Sequence, residues 1–392
     1  MRTRFPIAVV ALACCALAQQ AAPGFEGRWT GGFAAGDSLA QQTAPVPPVS
    51  ADDPFAGVVE KTTAEPQAEP RSWVKRFFTE NFGFRKEVMS QFSSDFEGGY
   101  SSRQSVGFEV LKKFSTGTST FASFNFQGRM VRRDGFIPVQ NDMEGENRAG
   151  WTFEYHNLYL DFYNLGGKVG RVNLRAGRFY VPFGLNLQTD THGPVMQLSN
   201  DRNFGFERDW YTGLWGSVNR HVNYDLYYLV GSGYDLAYRG QKGLGAGRVS
   251  LANRYSSRFG LEGGASVMAG ERLGMMGQVI DTRRFGGDGR WRRAVPTGSV
   301  AVTGEFSGGR DGRSDVFMQL EQVEYLRASR RWGVAGQYRR FRDSSGVDDA
   351  VIGEFSWYFR NDVGNSNLHW VKAYLAYSRA RTVLTLQYYF YR

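Results

Sequence analysis

Apolar and polar residues alternate along most of the chain, and the final strand shows this pattern most plainly. Leu384, Leu386, Tyr388 and Phe390 fall on one side of an extended segment, and Thr385, Gln387, Tyr389 and Tyr391 fall on the other. Side chains alternate between the two faces of a strand, so this segment has an apolar, aromatic-rich face and a polar face. This pattern is typical of a transmembrane β-barrel strand, with lipid on one side and water on the other.

Similar segments recur from about residue 86 to the end of the chain, separated by turns. We count roughly 16 of them, an even number that places both ends of a bacterial barrel in the periplasm. The predicted fold is therefore all-β, a transmembrane antiparallel β-barrel of about 16 strands, which leaves an aqueous channel. The soluble alternative is a β-sandwich, which would bury one face of each strand in a shared core.

The first 18 residues have the features of an export signal. Arg2 and Arg4 precede a short apolar run, and Ala16-Leu17-Ala18 supplies small residues for cleavage before Gln19. Lipidation at Cys14 is the alternative. Cys14 and Cys15 are the only cysteines, so we expect a mature chain without disulfides, zinc-thiolate sites or covalent haem, and we expect no cofactor.

Residues 19–85 differ in composition from the rest of the chain. Pro, Ala and Gln dominate, and because Pro cannot donate to a strand ladder, we predict a disordered or extended periplasmic segment. Its last part, Trp73 to Phe84, has the composition of a short amphipathic stretch. The predicted organisation is thus a signal peptide at 1–18, a periplasmic segment at 19–85 and a barrel at 86–392.

Composition and charge exclude some functions. The mean hydropathy is −0.41, and no later segment approaches the 18 or so apolar residues of a transmembrane helix. Removing residues 1–18 leaves 45 bases and 38 acids, a net charge of +7. In an exported chain this balance points to anionic solutes, or to outer-membrane lipid and lipopolysaccharide, rather than to nucleic acid.

One long connection interrupts the regular spacing of strands, from Val181 to Tyr211. Long loops are usually functional, and this one is predicted to fold into the lumen and narrow the pore; the alternative is an extracellular loop. It carries charges of both signs, which would set a field across a narrow channel. These residues are Asp190, His192, Asp201, Arg202, Glu207, Arg208 and Asp209.

The polar faces of the predicted strands carry more bases than acids. The predicted inward bases include Arg129, Arg175, Arg339, Arg360 and Lys372, and the predicted inward acids include Glu262, Glu305 and Glu354. Rings of basic side chains attract anions into a pore. An enzyme is not expected, because there is no nucleophile elbow or zinc-binding spacing, and we interpret His156 beside Glu154 as a structural pair.

The segment Leu174 to Leu185 (LRAGRFYVPFGL) resembles the corresponding motif of the phosphate-selective porin O/P family. The resemblance implies an outer-membrane porin of 16 strands, a homotrimer, and small anions passing through a lumen lined by Arg and Lys. Arg175 and Arg178 match basic residues of the motif. A weaker resemblance, in length and type, is to the barrels that sheathe multihaem cytochromes in outer-membrane electron conduits, with the cytochrome as partner.

Overall fold

A computed structural model describes residues 80–116, 119–135, 150–167, 170–185, 204, 206–219, 221–234, 236, 238–251, 260–274, 277–362, 367–379 and 381–392. The predicted signal peptide, with Cys14 and Cys15, and most of the predicted 19–85 segment lie outside these residues. The elements of more than one residue within them are β-strands, and Phe204 alone is helical. None of the described residues forms a helix that is long and apolar enough to cross a membrane.

Sixteen strands form a single closed sheet, which confirms the predicted fold class and strand number. Each strand pairs antiparallel with its neighbours in the chain, so the alternative β-sandwich is wrong. The strands are β1 (Phe82–Ser94), β2 (Tyr100–Thr116), β3 (Ser119–Gly135), β4 (Trp151–Phe162), β5 (Asn173–Tyr180), β6 (Arg208–Ser217), β7 (Val222–Leu229), β8 (Gly243–Leu251), β9 (Gly260–Leu273), β10 (Val279–Val295), β11 (Gly298–Asp311), β12 (Ser314–Arg327), β13 (Trp332–Asp343), β14 (Gly346–Asp362), β15 (Asn367–Ser378) and β16 (Thr382–Tyr391).

The first and last strands close the barrel. β1 pairs with β16 over eight residue pairs, from Glu87 opposite Tyr391 to Ser94 opposite Leu384. Two further backbone hydrogen bonds join Lys86 and Arg392, at 2.6 and 2.9 Å. Closure leaves no unpaired sheet edge, as a membrane-spanning sheet requires. β1 begins at Phe82, so residues 82–84 of the predicted amphipathic stretch are strand.

The two faces of the sheet differ in polarity as the alternation predicts. On β16, Leu386 and Tyr388 point outward with 48% and 39% of their surface exposed, whereas Thr385 and Gln387 point inward with 3% and 1% exposed. The same arrangement of large apolar residues outside and polar residues inside recurs around the barrel. An apolar belt of this extent is incompatible with water, so the barrel spans a membrane.

A bulge changes one of the predicted inward positions. The register between β14 and β15 shifts between Tyr358 and Arg360. The extra residue reverses the alternation, so Phe359 and Arg360 are both exposed. The prediction that Arg360 faces the lumen is therefore wrong, because a bulge places two residues opposite one and turns the next side chain to the other face.

The wall of the barrel is uneven in height. Strands β2, β3, β10 and β14 have 17 residues each, whereas β5 and β7 have eight, β8 has nine and β6 has ten. Three long connections, 136–150, 181–207 and 230–242, join strand ends that lie opposite the chain termini. Longer loops at the end away from the termini are typical of outer-membrane barrels, whose periplasmic turns are short.

The loss of stability caused by a charge on the outer face of the barrel tests whether that face contacts lipid. Phe355→Arg places a cation at the centre of β14, where we expect a loss of about 2–4 kcal/mol in unfolding free energy. Leu251→Arg places the same cation at the end of β8, where the loss should be about 0–1 kcal/mol. Reversible urea unfolding in lipid vesicles measures both. Equal losses at the two positions would contradict the assigned outer face.

Candidate functional site

The connection between β5 and β6 begins inside the barrel. The Gly184 amide donates to the Ser266 hydroxyl of β9 at 3.0 Å, and Ser266 faces the lumen with 2% exposure. The Phe183 ring lies against the backbone of Gly286 on β10, where an added Cβ would stand 2.9 Å from the ring. Gly184 also lies beside the inward carboxylate of Glu305 on β11. Residues 181–185 therefore leave β5 and reach the inner face of β9 to β11.

Apolar packing holds this connection in place. Its described residues Val181, Phe183, Phe204 and Phe206 are buried in one cluster with side chains of β7, β8 and β9. The rings of Phe183 and Phe204 meet edge to face, with centroids 5.1 Å apart. Such contacts exclude water and favour a fixed position. The wall residues of the cluster are Tyr159, Phe179, Tyr180, Tyr211, Trp215, Tyr227, Leu229, Leu244, Ala246 and Met268.

The two ends of the connection are joined. The Val181 amide donates to the carbonyl oxygen of Glu207 at 2.8 Å, and β6 begins at Arg208. The prediction that Arg208 and Asp209 belong to the loop is therefore wrong, because they continue the ladder with β5. The other predicted loop residues Asp190, His192, Asp201 and Arg202 lie outside the described residues.

Arg208 is held at the point where the connection rejoins the wall. Its guanidinium lies 4.0 Å from the centre of the Tyr180 ring and donates to the Tyr180 hydroxyl. It also donates to the carboxylate of Glu207 at 3.2 Å and to the Asn157 side chain at 3.3 Å. A cation over an aromatic face, paired with a carboxylate, keeps its charge while buried.

A second connection, 230–242, is fastened to the same place. The Asp209 carboxylate accepts hydrogen bonds from the amides of Gly231 and Gly233, at 2.6 and 3.0 Å. Both glycines have positive φ, at 78° and 74°, a backbone conformation that disfavours other residues. Burial raises the pKa of the neighbouring Tyr234 to about 12. Polar contacts thus connect the ends of the short strands β5 to β8, which we call the low wall.

Arg178 joins the low wall to β4. It donates to the backbone carbonyls of Tyr155 and His156 at 3.0 and 2.7 Å, and to that of Gly233 at 3.3 Å. The rings of Tyr155 and Tyr234 lie over its guanidinium. The resemblance of residues 174–185 to a porin motif predicted a basic residue at 178, but it did not predict that this residue binds backbone carbonyls. In the structure Arg178 organises backbone carbonyls of two elements.

The predicted lumen bases Arg129, Arg175 and Lys372 each have a carboxylate partner. Arg129 binds Glu87 at 2.7 Å, and Lys372 binds Glu354 at 2.8 Å. Arg175 forms a bidentate pair with Asp161, at 2.7 and 2.8 Å. Sequence reasoning missed the acids Glu87 and Asp161, because cross-strand partners are identified only once the register is known.

Glycines allow some of these pairs to span an intervening strand. Glu87, Gly107 and Arg129 lie in one row across β1, β2 and β3. A Cβ at Gly107 would stand 2.6 Å from Cγ of Arg129, so glycine lets the arginine cross β2. Arg248 likewise reaches Asp288 at 2.7 Å, passing Gly264 of β9.

Arg175 lies in a box of aromatic rings. The centres of the Tyr159, Phe179 and Trp215 rings are 4.5, 4.4 and 5.8 Å from its guanidinium carbon. The side chains of Arg175 and Asp161 are 1% and 2% exposed. The guanidinium is enclosed by these rings and by the Asp161 carboxylate. It therefore stabilises the barrel wall and is shielded from solutes in the channel.

His156 and Glu154 form a buried pair, as the sequence predicts. Their side chains approach to 3.5 Å, and Glu154 also binds Arg133 at 2.5 Å. Among the residues that the structure describes, no group of His, Cys, Asp and Glu side chains is arranged to hold a metal ion.

Comparison with solved structures finds the same fold in several barrels. The high-pH structure of Pseudomonas putida OprB superimposes with a TM-score of 0.57 and 10% identity, covering 81% of this chain and 96% of that one. The anion-selective porin from Comamonas acidovorans has a TM-score of 0.50 and 10% identity, with coverages of 79% and 98%. Salmonella typhi OmpF, in complex with daunomycin, has a TM-score of 0.50 and 9% identity, with coverages of 79% and 97%.

These comparisons define the fold of the chain and leave its family open. No family model and no curated protein matches the sequence, so the resemblance to the phosphate-selective porin O/P family is not confirmed. The barrel is a porin-like barrel of 16 strands. The predicted location in the bacterial outer membrane agrees with this architecture and with the apolar belt.

Removing the counterion of Arg175 tests the buried pair. Asp161→Asn leaves a cation in the aromatic box without a carboxylate, and we expect unfolding free energy to fall by about 3–5 kcal/mol. Adding Arg175→Met should recover most of that loss, since the double variant buries no unpaired charge. Urea unfolding of the three proteins measures the coupling. Additive losses in the double variant would show that the two side chains act independently.

Proposed function

We propose that the protein is an outer-membrane porin, whose water-filled channel allows passive diffusion of small, preferentially anionic solutes. One observation carries this proposal. A closed barrel of 16 strands has an apolar outer face and a charged inner face, and a long connection enters its lumen. Barrels of this size enclose an aqueous channel rather than a packed core, and lumen side chains tune which solutes pass.

The connection 181–207 is the proposed constriction. Its first residues reach the inner face of β9 to β11, and Phe204 and Phe206 pack on the same side of the lumen. The residues between these anchors include Asp190, His192 and Arg202, and Glu207 and Arg208 stand where the connection ends. We propose that these five side chains set the charge at the narrowest part of the pore.

The proposed preference for anions rests on the balance of buried charge. Among the described buried side chains, 12 are Arg or Lys and eight are Asp or Glu. Several bases are paired with acids, as Arg129, Arg175 and Lys372 are, so the remaining excess is small. A modest excess of fixed positive charge raises the local concentration of anions and leaves cations a lower but finite permeability.

Two further parts of the proposal concern partners. The outer face contacts outer-membrane lipid and lipopolysaccharide, and the chain assembles as a homotrimer, as the resemblance implies. The alternative function, a sheath around a multihaem cytochrome, is not proposed. Residues 181–185 occupy part of the lumen that such a partner would need.

Single-channel current in a planar bilayer under a salt gradient tests the proposal. We expect stable open steps and a reversal potential on the anion side. Arg202→Ala with Arg208→Ala should move the reversal potential toward zero, because two positive charges leave the constriction and Glu207 loses the guanidinium of Arg208. Arg283→Ala with Arg310→Ala is the matched control: it removes the same charge from side chains that are 76% and 70% exposed.

Three results would overturn parts of this proposal. A folded barrel that gives no steps is not a porin. A reversal potential at zero or on the cation side in the wild type removes the anion preference. An equal shift in the test and control variants places Arg202 and Arg208 outside the constriction.

Displacing the connection from the wall should widen the pore. Gly286→Leu puts a side chain between the Phe183 ring, at 2.9 Å from the added Cβ, and the Phe306 carbonyl oxygen, at 2.8 Å, so in the variant that folds the ring is displaced and we expect a larger single-channel conductance. Gly353→Leu makes the same substitution on β14, where an added Cβ meets no atom within 4 Å, and its conductance should match the wild type. Unchanged conductance in Gly286→Leu, with the barrel folded, would show that residues 181–185 do not limit the current.

A further inference from the structure

A carboxylate lies at the centre of the lipid-facing surface. Glu321 is an exposed outward residue of β12, six residues from Asp315 and six from Arg327, the charged residues near the ends of that strand. Phe317 and Tyr325 lie between these charges on the same face. Ionisable residues are expensive at this depth and usually face protein or water.

The contacts of Glu321 within the chain do not cover it. The Gln319 amide donates to its carboxylate at 2.8 Å, and Glu321 is exposed while Gln319 is partly exposed. This hydrogen bond is the one that the Glu321 side chain makes within the described part of the chain. A carboxylate and an amide together on a lipid-facing strand are the kind of polar groups that bind another membrane protein.

A depression lies beside this polar pair. Gly263, Gly289 and Gly304 are aligned with Glu321 across β9, β10, β11 and β12. A Cβ at Gly304 would meet nothing within 4 Å, and one at Gly289 would meet a single carbonyl oxygen at 3.8 Å. At Gly263, by contrast, a Cβ would stand 2.7 Å from the Asp288 carbonyl oxygen. The backbone explains the glycine at 263, but nothing within the barrel explains the glycines at 289 and 304.

A glycine in a strand lowers stability, so we expect a structural reason for each one. Glycines lower the intrinsic stability of the strand and remove side-chain packing. Small residues recur in membrane proteins where another chain approaches closely. The depression also has a hydrogen-bond donor at its border: Trp291 lies on the same outward face of β10, two residues beyond Gly289, and is 41% exposed.

The two surfaces are spaced for a three-fold ring. In such a ring each barrel contacts its two neighbours through faces about 60° apart. Sixteen strands divide the circumference into steps of about 22°. The depression is centred on β10, and the polar pair lies on β12, where Glu321 is opposite Tyr338 and Gln319 is opposite the exposed Arg340 of β13. The separation of two strands is about 45°, within one strand step of the roughly 60° that a three-fold ring requires.

We propose that Gln319 and Glu321 of one copy insert into the glycine depression of the next copy, and that this contact builds a trimer. The Trp291 indole of the second copy donates a hydrogen bond to the inserted carboxylate. A second copy of this chain fits because the exposed carboxylate meets an indole donor beside a surface without side chains, and because both surfaces lie in one register row of the sheet. This inference rests on the proposed function, which includes a homotrimer, and adds the location of its interface.

Disulfide cross-linking in outer-membrane fragments tests the interface. The full chain carries Gly289→Cys and Glu321→Cys, and the predicted mature sequence contains no other cysteine. We expect oxidation to give a ladder that ends at three copies, and each single variant to stay uncross-linked. Leu226→Cys with Glu321→Cys is the matched control, since Leu226 is 61% exposed on the outer face of β7. Ala265→Cys, at the border of the depression, replaces Gly289→Cys if that variant does not fold.

The outcomes separate the interface from channel function. Monomers in the double variant, with both cysteines reacting with a lipid-soluble maleimide, would overturn the interface. So would a dimer from Glu321→Cys alone, which indicates a two-fold contact, or an equal ladder in the control. Single-channel steps are recorded from the same samples. Channel steps without cross-links would support the proposed porin function and contradict the proposed interface. A trimer ladder without channel steps would contradict the porin function and support the interface.

Discussion

The backbone hydrogen bonds between β1 and β16 are the contact on which the rest of the structure depends. In lipid an unpaired amide or carbonyl has no water to satisfy it, so the sheet must close on itself. In the closed sheet every strand has a defined register with both of its neighbours. Register in turn decides which side chains meet lipid and which meet the lumen, because a slip of one residue exchanges the two faces.

The same register organises the lumen. It sets Asp161 directly opposite Arg175, and it places Gly107 between Glu87 and Arg129, so that an arginine crosses a strand to reach its carboxylate. These pairs neutralise much of the charge on the wall. The selectivity of the pore then depends less on the number of arginines than on the few charges in the connection from β5 to β6, whose ends are anchored by aromatic packing and by Arg208.

The sequence was sufficient for the barrel, because alternation is a local property that each strand displays independently. It placed Leu386 and Gln387 on opposite faces correctly. The prediction for Arg360 was wrong because the bulge there depends on the pairing of β14 with β15. The prediction that Arg208 belongs to the loop was wrong because this residue pairs with β5. The partners of Arg129 and Arg175 could not be predicted either, since pairing across strands is a property of the closed sheet. Asp190, His192 and Arg202 remain predictions.

The low wall formed by β5 to β8 has a consequence for the surrounding lipid. A strand of eight residues, tilted as barrel strands are, spans about 20 Å along the membrane normal, less than the roughly 25 Å apolar band of outer-membrane barrels. Acyl chains beside this wall must shorten or tilt to match it, which thins the bilayer on one side of the molecule. The barrel is therefore expected to deform its membrane asymmetrically, and proteins with similarly short walls would be drawn to that side.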